Sequence, residues 1–135
     1  MANRLFKQFQ HTLEQGVVKL FGTVVLGSSG AVSSVTGCKG FTVAKTATET
    51  GRYTVTLQDS FNQLLNVGVN IIGAADAAYT DGKGMFMGLL RNVSVNDSTP
   101  TFDIQFNDPD TNVDAEPADS VTLLIEITLK NSTAF

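Results

Sequence analysis

The chain has one imidazole and one thiol with which to do chemistry, His11 and Cys38. A zinc-type site needs several such ligands, and a thiol nucleophile needs a positioned base. Neither residue has another histidine or cysteine near it in the sequence. We therefore predict that His11 is a surface residue and that Cys38 is a turn or core thiol. The adjacent Lys39 is expected to lower the pKa of that thiol slightly.

The sequence Asp-Gly-Lys-Gly at residues 81–84 superficially resembles a phosphate-binding loop. The Gly-x4-Gly-Lys-Ser/Thr frame is absent, and no helix is predicted to follow whose N-terminus could hold a phosphate. Asp-Gly is instead a strong turn signal. This stretch is predicted to be a turn.

Residues 107–119 form a predicted acidic loop. Its oxygen-bearing side chains at calcium-loop spacing are Asp108, Asp110, Asn112 and, at the closing position, Asp119. Val113 stands where a calcium loop needs glycine, two prolines intervene, and no helices flank the segment. We predict a solvated loop, with calcium binding as the alternative. Such a loop could also present negative charge to a basic partner.

Hydrolysis by paired carboxylates needs Asp or Glu side chains that project from strands into a shared cleft. The candidates on predicted strands are Asp103 and Glu126, and each belongs to a face of Thr and Gln. Both are predicted to lie on exposed sheet surface. The sequence therefore disfavours an enzyme, and no catalytic residue, cofactor or metal is predicted.

The clearest structural element is a long strand over residues 121–130. Its apolar side chains alternate along the chain and so share one face: Val121, Leu123, Ile125, Ile127 and Leu129. A helix would scatter these side chains around its circumference, whereas a strand collects them on one side. The other face is polar except at Leu124. We predict that a partner subunit or the N-terminal helix covers Leu124.

Residues 1–16 have a helical pattern instead. The apolar residues, spaced three and four apart, are Leu5, Phe6, Phe9 and Leu13. Asn3 is a candidate cap and Gly16 a candidate stop for an amphipathic helix of about three turns. Two roles are open: a helix that closes one end of a sandwich, or an arm that docks on another protein. A membrane-surface helix is disfavoured, because only two basic residues would attract lipid.

The rest of the chain alternates between strand patterns and turn signals. Further strands are predicted over residues 17–26 with a bend or break at Gly22, 31–35, 41–45, 52–58, 67–73, 85–95 and 101–106. The strand over 67–73 is expected to be central, and a helical turn is predicted over 59–65. The fold class is all-β: a jelly-roll-like antiparallel β-sandwich of about eight strands with a short N-terminal helix or arm. The predicted domains are an arm at 1–16 and a sandwich at 17–135.

Composition excludes several classes of function. Residues 1–67 carry six Lys/Arg and three Asp/Glu, whereas 68–135 carry three and ten. No basic cluster exists, so nucleic-acid binding is not expected, and no apolar stretch is long enough to span a membrane. A single cysteine cannot form an internal disulfide, so the fold should not depend on an oxidising compartment.

Three segments together resemble a known family. They are residues 3–9 with 13–14 and 17–21, the strand Gly-Arg-Tyr-Thr-Val-Thr-Leu at 51–57, and the ending Leu-Lys-Asn-Ser-Thr-Ala at 129–134. In this order they resemble small virion proteins of tailed bacteriophages, of the capsid decoration or cement type. The likeness is a pattern of strands and ends, without a catalytic signature.

The resemblance implies a protein on the outer surface of the capsid, assembled in the host cytoplasm as a homodimer or homotrimer. Its partner would be the major capsid protein, whose neighbouring copies it would bridge to stabilise the shell. The predicted interface residues are Leu5, Phe6, Phe9, Leu13 and Leu124. The alternative is a tail-associated or receptor-binding β-module of a phage virion.

Overall fold

The computed structural model describes residues 16–73, 87–108, 113–117 and 121–131. Across these residues the chain forms nine strands and a short 3-10 turn at Ser28–Gly30. The strands are β1 (Val17–Leu26), β2 (Val32–Thr36), β3 (Phe41–Lys45), β4 (Arg52–Leu57), β5 (Gln63–Ile72), β6 (Met87–Ser94), β7 (Thr101–Asp108), β8 (Val113–Asp114) and β9 (Thr122–Lys130). The predicted N-terminal helix lies outside the described residues, apart from Gly16.

The strands form two antiparallel sheets. The four-stranded sheet has the order β2-β1-β9-β5, and the five-stranded sheet has the order β3-β4-β7-β6 with β8 paired to β7. The two sheets share one core, which contains side chains of β1 and β9 from the first sheet and of β3, β4 and β7 from the second. The predicted all-β sandwich is confirmed.

The core is formed by the apolar side chains that alternate with polar ones along β9 and along the facing strands β4 and β7. The five apolar side chains predicted to share a face of this strand, from Val121 to Leu129, are all buried. From the opposite sheet, the buried partners on β4 and β7 are Tyr53, Val55, Leu57, Phe102, Ile104 and Phe106. Full burial of such a side chain contributes about 1.5–3 kcal/mol, so these residues supply most of the driving force for folding.

Two predictions about the segment before and within β5 are wrong. Residues 63–65 belong to β5 and not to a helical turn. The backbone amides just before them form hydrogen bonds to distant parts of the chain and not within a turn. Phe61 N–H donates to the Val95 carbonyl and Asn62 N–H donates to the Lys130 carbonyl, both at 2.9 Å. In the described part of the chain β5 pairs with β9 alone, so it is an edge strand and not a central one. Its outward side chains include Asn66 and Asn70, which suits a solvated face.

The predicted bend at Gly22 is also wrong, because β1 continues through it and its register shifts only between Val25 and Leu26. Gly22 faces the core side, like Val24. A Cβ there would lie 2.1 Å from the Cys38 sulfur and 2.7 Å from the Phe41 ring. Glycine is therefore required by side-chain packing and not by backbone direction.

This packing predicts that Gly22→Ala lowers the free energy of unfolding by about 1–3 kcal/mol, the usual range for overfilling a core. Removing the sulfur with Cys38→Ala should recover part of that loss in the double variant, because the Phe41 ring still crowds the new methyl. Urea denaturation of the two single variants and the double variant measures the coupling. Strictly additive effects would contradict a clash between these two residues.

Candidate functional site

Three large apolar side chains project from the outer face of the four-stranded sheet, away from the core. Phe21 of β1 is 58% exposed, Leu124 of β9 is 39% exposed and Ile72 of β5 is 52% exposed. We call the surface formed by these three residues the apolar face. In the register of the sheet, Leu124 lies between Thr23 and Asn70. Exposed apolar patches of this kind typically mark contact surfaces of proteins.

A shallow concavity lies beside Phe21 on the same surface. Its volume is about 370 Å³, and its outward-pointing lining includes Phe21, Thr23, Thr36, Asn70, Leu124 and Glu126. Phe21 thus forms one wall and projects above it. A hollow next to a projecting aromatic ring gives the surface a shape that a complementary protein surface can match.

One ion pair borders the apolar face. Lys19 Nζ donates to Glu126 Oε1 at 3.0 Å, and about half of each side chain is exposed. Glu126 is directly opposite Phe21 in the register of β1 and β9. An ion pair at this exposure contributes little to stability, at most about 1 kcal/mol. Its charges are free to make further contacts with a partner.

A second apolar surface lies on the five-stranded sheet, along β6. Leu89, Leu90 and Val93 are each exposed by a third to a half, and Arg91 lies among them. We call these three apolar residues the β6 stripe. Leu89 is opposite Gln105, which points away from the core, so part of the stripe belongs to the outer surface of this sheet. The two apolar surfaces therefore lie on different sheets of the sandwich.

The predicted interface residues divide into two groups. Leu124 is placed on the apolar face, and the described residues leave it partly exposed. Leu5, Phe6, Phe9 and Leu13 lie outside the described residues, so their contact remains a prediction. Phe21 and Ile72 were not among the predicted interface residues. The available signal was the polar residues beside them on the same outward faces, Lys19 and Thr23 on β1 and Asn70 on β5.

The two candidate carboxylates point away from the core on opposite sheets, so they cannot form a pair. Glu126 is half exposed, but Asp103 is only 8% exposed, and the prediction that it lies on exposed surface is wrong. Its carboxylate accepts hydrogen bonds from Thr54 Oγ1 and from Asn92 Nδ2, both at 2.8 Å. Asp103 therefore joins β4, β6 and β7 and is committed to structure.

Cys38 is partly buried and packs against the core. Burial raises the pKa of its thiol, and a hydrogen bond with the Thr23 backbone offsets this only in part. Removal of the thiolate from water sets the direction of the shift, so any slight lowering of the pKa by Lys39 does not prevail. A thiol with a raised pKa is a poor nucleophile at neutral pH. His11 and residues 81–84 lie outside the described residues.

Residues 113–117 of the predicted acidic loop pack against the sandwich. Val113 and Asp114 form β8 on the end of β7, which the prediction of a solvated loop did not include. Glu116 then forms an ion pair with Lys45, whose Nζ also donates to the Ser29 carbonyl at 2.6 Å. Among the described residues, no three His, Cys, Asp or Glu side chains are placed to hold a metal ion. The calcium alternative depends on ligands outside the described ranges.

No protein-family model, curated protein or solved structure matches this chain. Within the ranges that the structure describes, no helix is long and apolar enough to cross a membrane. The features of this chain that indicate a function are the two apolar surfaces and the groups around them.

Tyr53 supplies a prediction about pH. Its hydroxyl is buried and donates to the Gly30 carbonyl at 2.7 Å. Burial, and secondarily the negative charge of Glu116, raise the pKa of Tyr53 above the ordinary value of about 10. The unfolded chain therefore releases this proton at a lower pH than the folded chain does. Stability from this group is complete below pH 10 and is lost as the pH rises above it.

Tyr53→Phe is expected to cost about 1–2 kcal/mol at neutral pH, because the Gly30 carbonyl loses its buried donor. Above pH 10 the gap between wild type and variant should narrow, since only the wild type carries the penalty of a buried tyrosine. Urea denaturation from pH 7 to 11 measures both effects, and Tyr79 is common to the two proteins. A constant gap over this range would contradict the raised pKa.

Proposed function

We propose that this chain is a structural virion protein of the capsid decoration type, which binds the outside of a phage head and bridges neighbouring major capsid proteins. The observation that carries the proposal is the presence of two exposed apolar surfaces, the apolar face and the β6 stripe, on different sheets of one small sandwich. A bridging protein needs at least two separate contact surfaces. The resemblance to decoration proteins indicates the class of assembly; it is carried by residues 3–9, 13–14, 17–21, 51–57 and 129–134.

The charge pattern supports the same proposal. Charged residues make up only 16% of the chain, which suits a protein that buries much of its surface in an assembly. The carboxylates of Asp103, Glu116 and Glu126 each accept a hydrogen bond or form an ion pair within the sandwich. A rigid module of this kind stabilises a shell by repetition, because many weak contacts act together.

The decisive experiment is the copy number of the protein in purified phage particles, measured by quantitative mass spectrometry against the major capsid protein. A copy number comparable to that of the major capsid protein supports decoration of the head. A few copies per particle would instead favour a tail-associated or receptor-binding module, and absence from particles would refute both roles.

The β6 stripe gives a surface-level test. Leu89→Asp places a charge on the outward-facing part of the stripe and is expected to weaken binding to heads that lack this protein by at least about tenfold, which corresponds to 1.4 kcal/mol. Val113→Asp is the matched control, because Val113 is also at least half exposed but lies on β8. Equal binding of the two variants in a co-sedimentation assay would remove the stripe from the interface.

A further inference from the structure

We infer that the apolar face is a homodimer interface and that the same face of a second copy covers it. The inference names the partner of one of the two apolar surfaces. The role of the dimer in an assembly rests on the proposed function. Two independent features of the surface support the inference, its shape and its charge.

The shape of the apolar face is self-complementary. Phe21 projects from β1, and the concavity bounded by Leu124 and Glu126 of β9 lies directly beside it. A two-fold axis parallel to the strands, between β1 and β9, exchanges these two strands between copies. Phe21 of each copy then lies over Glu126 and next to Leu124 of the other, at the concavity. Sheets packed face to face with nearly aligned strands, about 10 Å apart, are a standard arrangement.

The charges on this face obey the same symmetry. Lys19 is opposite Thr128 in the register, one outward position along β9 from Glu126. The same axis therefore brings Lys19 of each copy next to Glu126 of the other, and the dimer gains two reciprocal charge pairs. The opposite charges of Lys19 and Glu126 cancel, so the approaching faces do not repel each other through these residues. Two-fold interfaces are isologous, and this pattern satisfies that requirement.

A charge-reversal experiment on the full-length chain tests the reciprocal pairing. Lys19→Glu gives a face with two negative charges, and Glu126→Lys gives a face with two positive charges. Each variant alone is expected to dissociate at least about tenfold more readily than wild type, because four like charges meet in its homodimer. An equimolar mixture should recover the dimer as a heterodimer. Sedimentation equilibrium gives the affinities, and native mass spectrometry of mass-labelled copies gives the composition.

Leu124→Asp is the second test and should abolish the dimer, whereas the control Val113→Asp on β8 should leave it intact. Circular dichroism establishes that each variant is folded. A wild-type monomer at high concentration, a dimer that survives Leu124→Asp, or a mixture that fails to recover dimer would each overturn the inference.

One other occupant of the apolar face is distinguishable in these experiments. If residues 1–15 of the same copy cover the face, the wild type will be monomeric, and Phe9→Asp will expose Phe21 to solvent; that result overturns the inference. A dimer in solution combined with absence from phage particles would refute the proposed function and leave the dimer interface standing.

Discussion

Gly51→Ala is expected to lower the free energy of unfolding by about 3 kcal/mol, a large part of the stability of a domain of this size. Gly51 has a positive φ of 67°, which costs a residue with a side chain about 1–2 kcal/mol. A Cβ there would also lie 2.3 Å from the Ala115 carbonyl oxygen and 2.9 Å from that of Phe106. Both atoms are backbone, so no side-chain rotation relieves the contact, and overfilling adds about 1–3 kcal/mol.

Gly37 provides the matched control. Its φ of 68° is nearly the same, but a Cβ at this position would meet nothing within 4 Å. Gly37→Ala should therefore show the backbone cost alone, about 1–2 kcal/mol, and the difference between the two variants measures the contact. Urea denaturation of the two variants beside wild type is sufficient. Equal losses would mean that residues 113–117 move away from Gly51 without cost.

The close contact at Gly51 explains how the acidic segment is held. Phe106 N–H donates to the Gly51 carbonyl, and Ala115 N–H donates to the Phe106 carbonyl. The backbone after β8 therefore lies directly against the turn before β4. The Lys45–Glu116 ion pair follows from this arrangement. Gly51→Ala is expected to displace the acidic segment first and the sandwich afterwards.

The alternation of apolar and polar residues at every second position predicted the strands that have one buried face. In β4, β7 and β9 the alternation is clear, because core and solvent select opposite residue types at successive positions. The edge position of β5 could not be predicted in this way. Strand order depends on which distant segments pair, and the apolar residues of β5 look the same whether one or two neighbours flank it.

The candidate site was only partly visible in the sequence for a related reason. Leu124 stood out because it interrupts a polar face, whereas the bend or break expected at Gly22 hid the alternation of Lys19, Phe21 and Thr23 along β1. For polar residues the error was to predict exposure where the side chains are buried. Asp103 and Gln105 alternate with core residues and so were assigned to an exposed face, but Asp103 is nearly buried and Gln105 fully buried. Both side chains form hydrogen bonds to residues on neighbouring strands. These partners can be identified only when the pairing and register of the strands are known.

Gln105 shows how much this covered polar layer contributes. Its Oε1 accepts from Arg52 Nε at 3.0 Å, and its Nε2 donates to the Thr50 and Phe106 carbonyls at 2.9 and 3.2 Å. Gln105→Met keeps the length of the side chain and removes all three hydrogen bonds. Three groups are left without this partner: the Arg52 guanidinium at the start of β4, the Thr50 carbonyl on the turn before it and the Phe106 carbonyl on β7. Loss of a buried hydrogen-bond partner costs about 1–3 kcal/mol, and more where a charged group is involved.

We therefore expect Gln105→Met to lower stability by about 2–3 kcal/mol and the melting temperature by about 10 °C, although it makes the side chain more apolar. Gln63→Met is the control, since Gln63 is exposed at the start of the edge strand β5 and the same substitution there should change stability by less than about 0.5 kcal/mol. Thermal and urea denaturation measure both variants. A neutral or stabilising effect of Gln105→Met would contradict this expectation. It would mean that the hydrogen bonds joining β4 to β7 through this side chain contribute no net stability. The expected loss instead makes the polar layer a second source of rigidity, outside the apolar core and on the sheet that carries the β6 stripe.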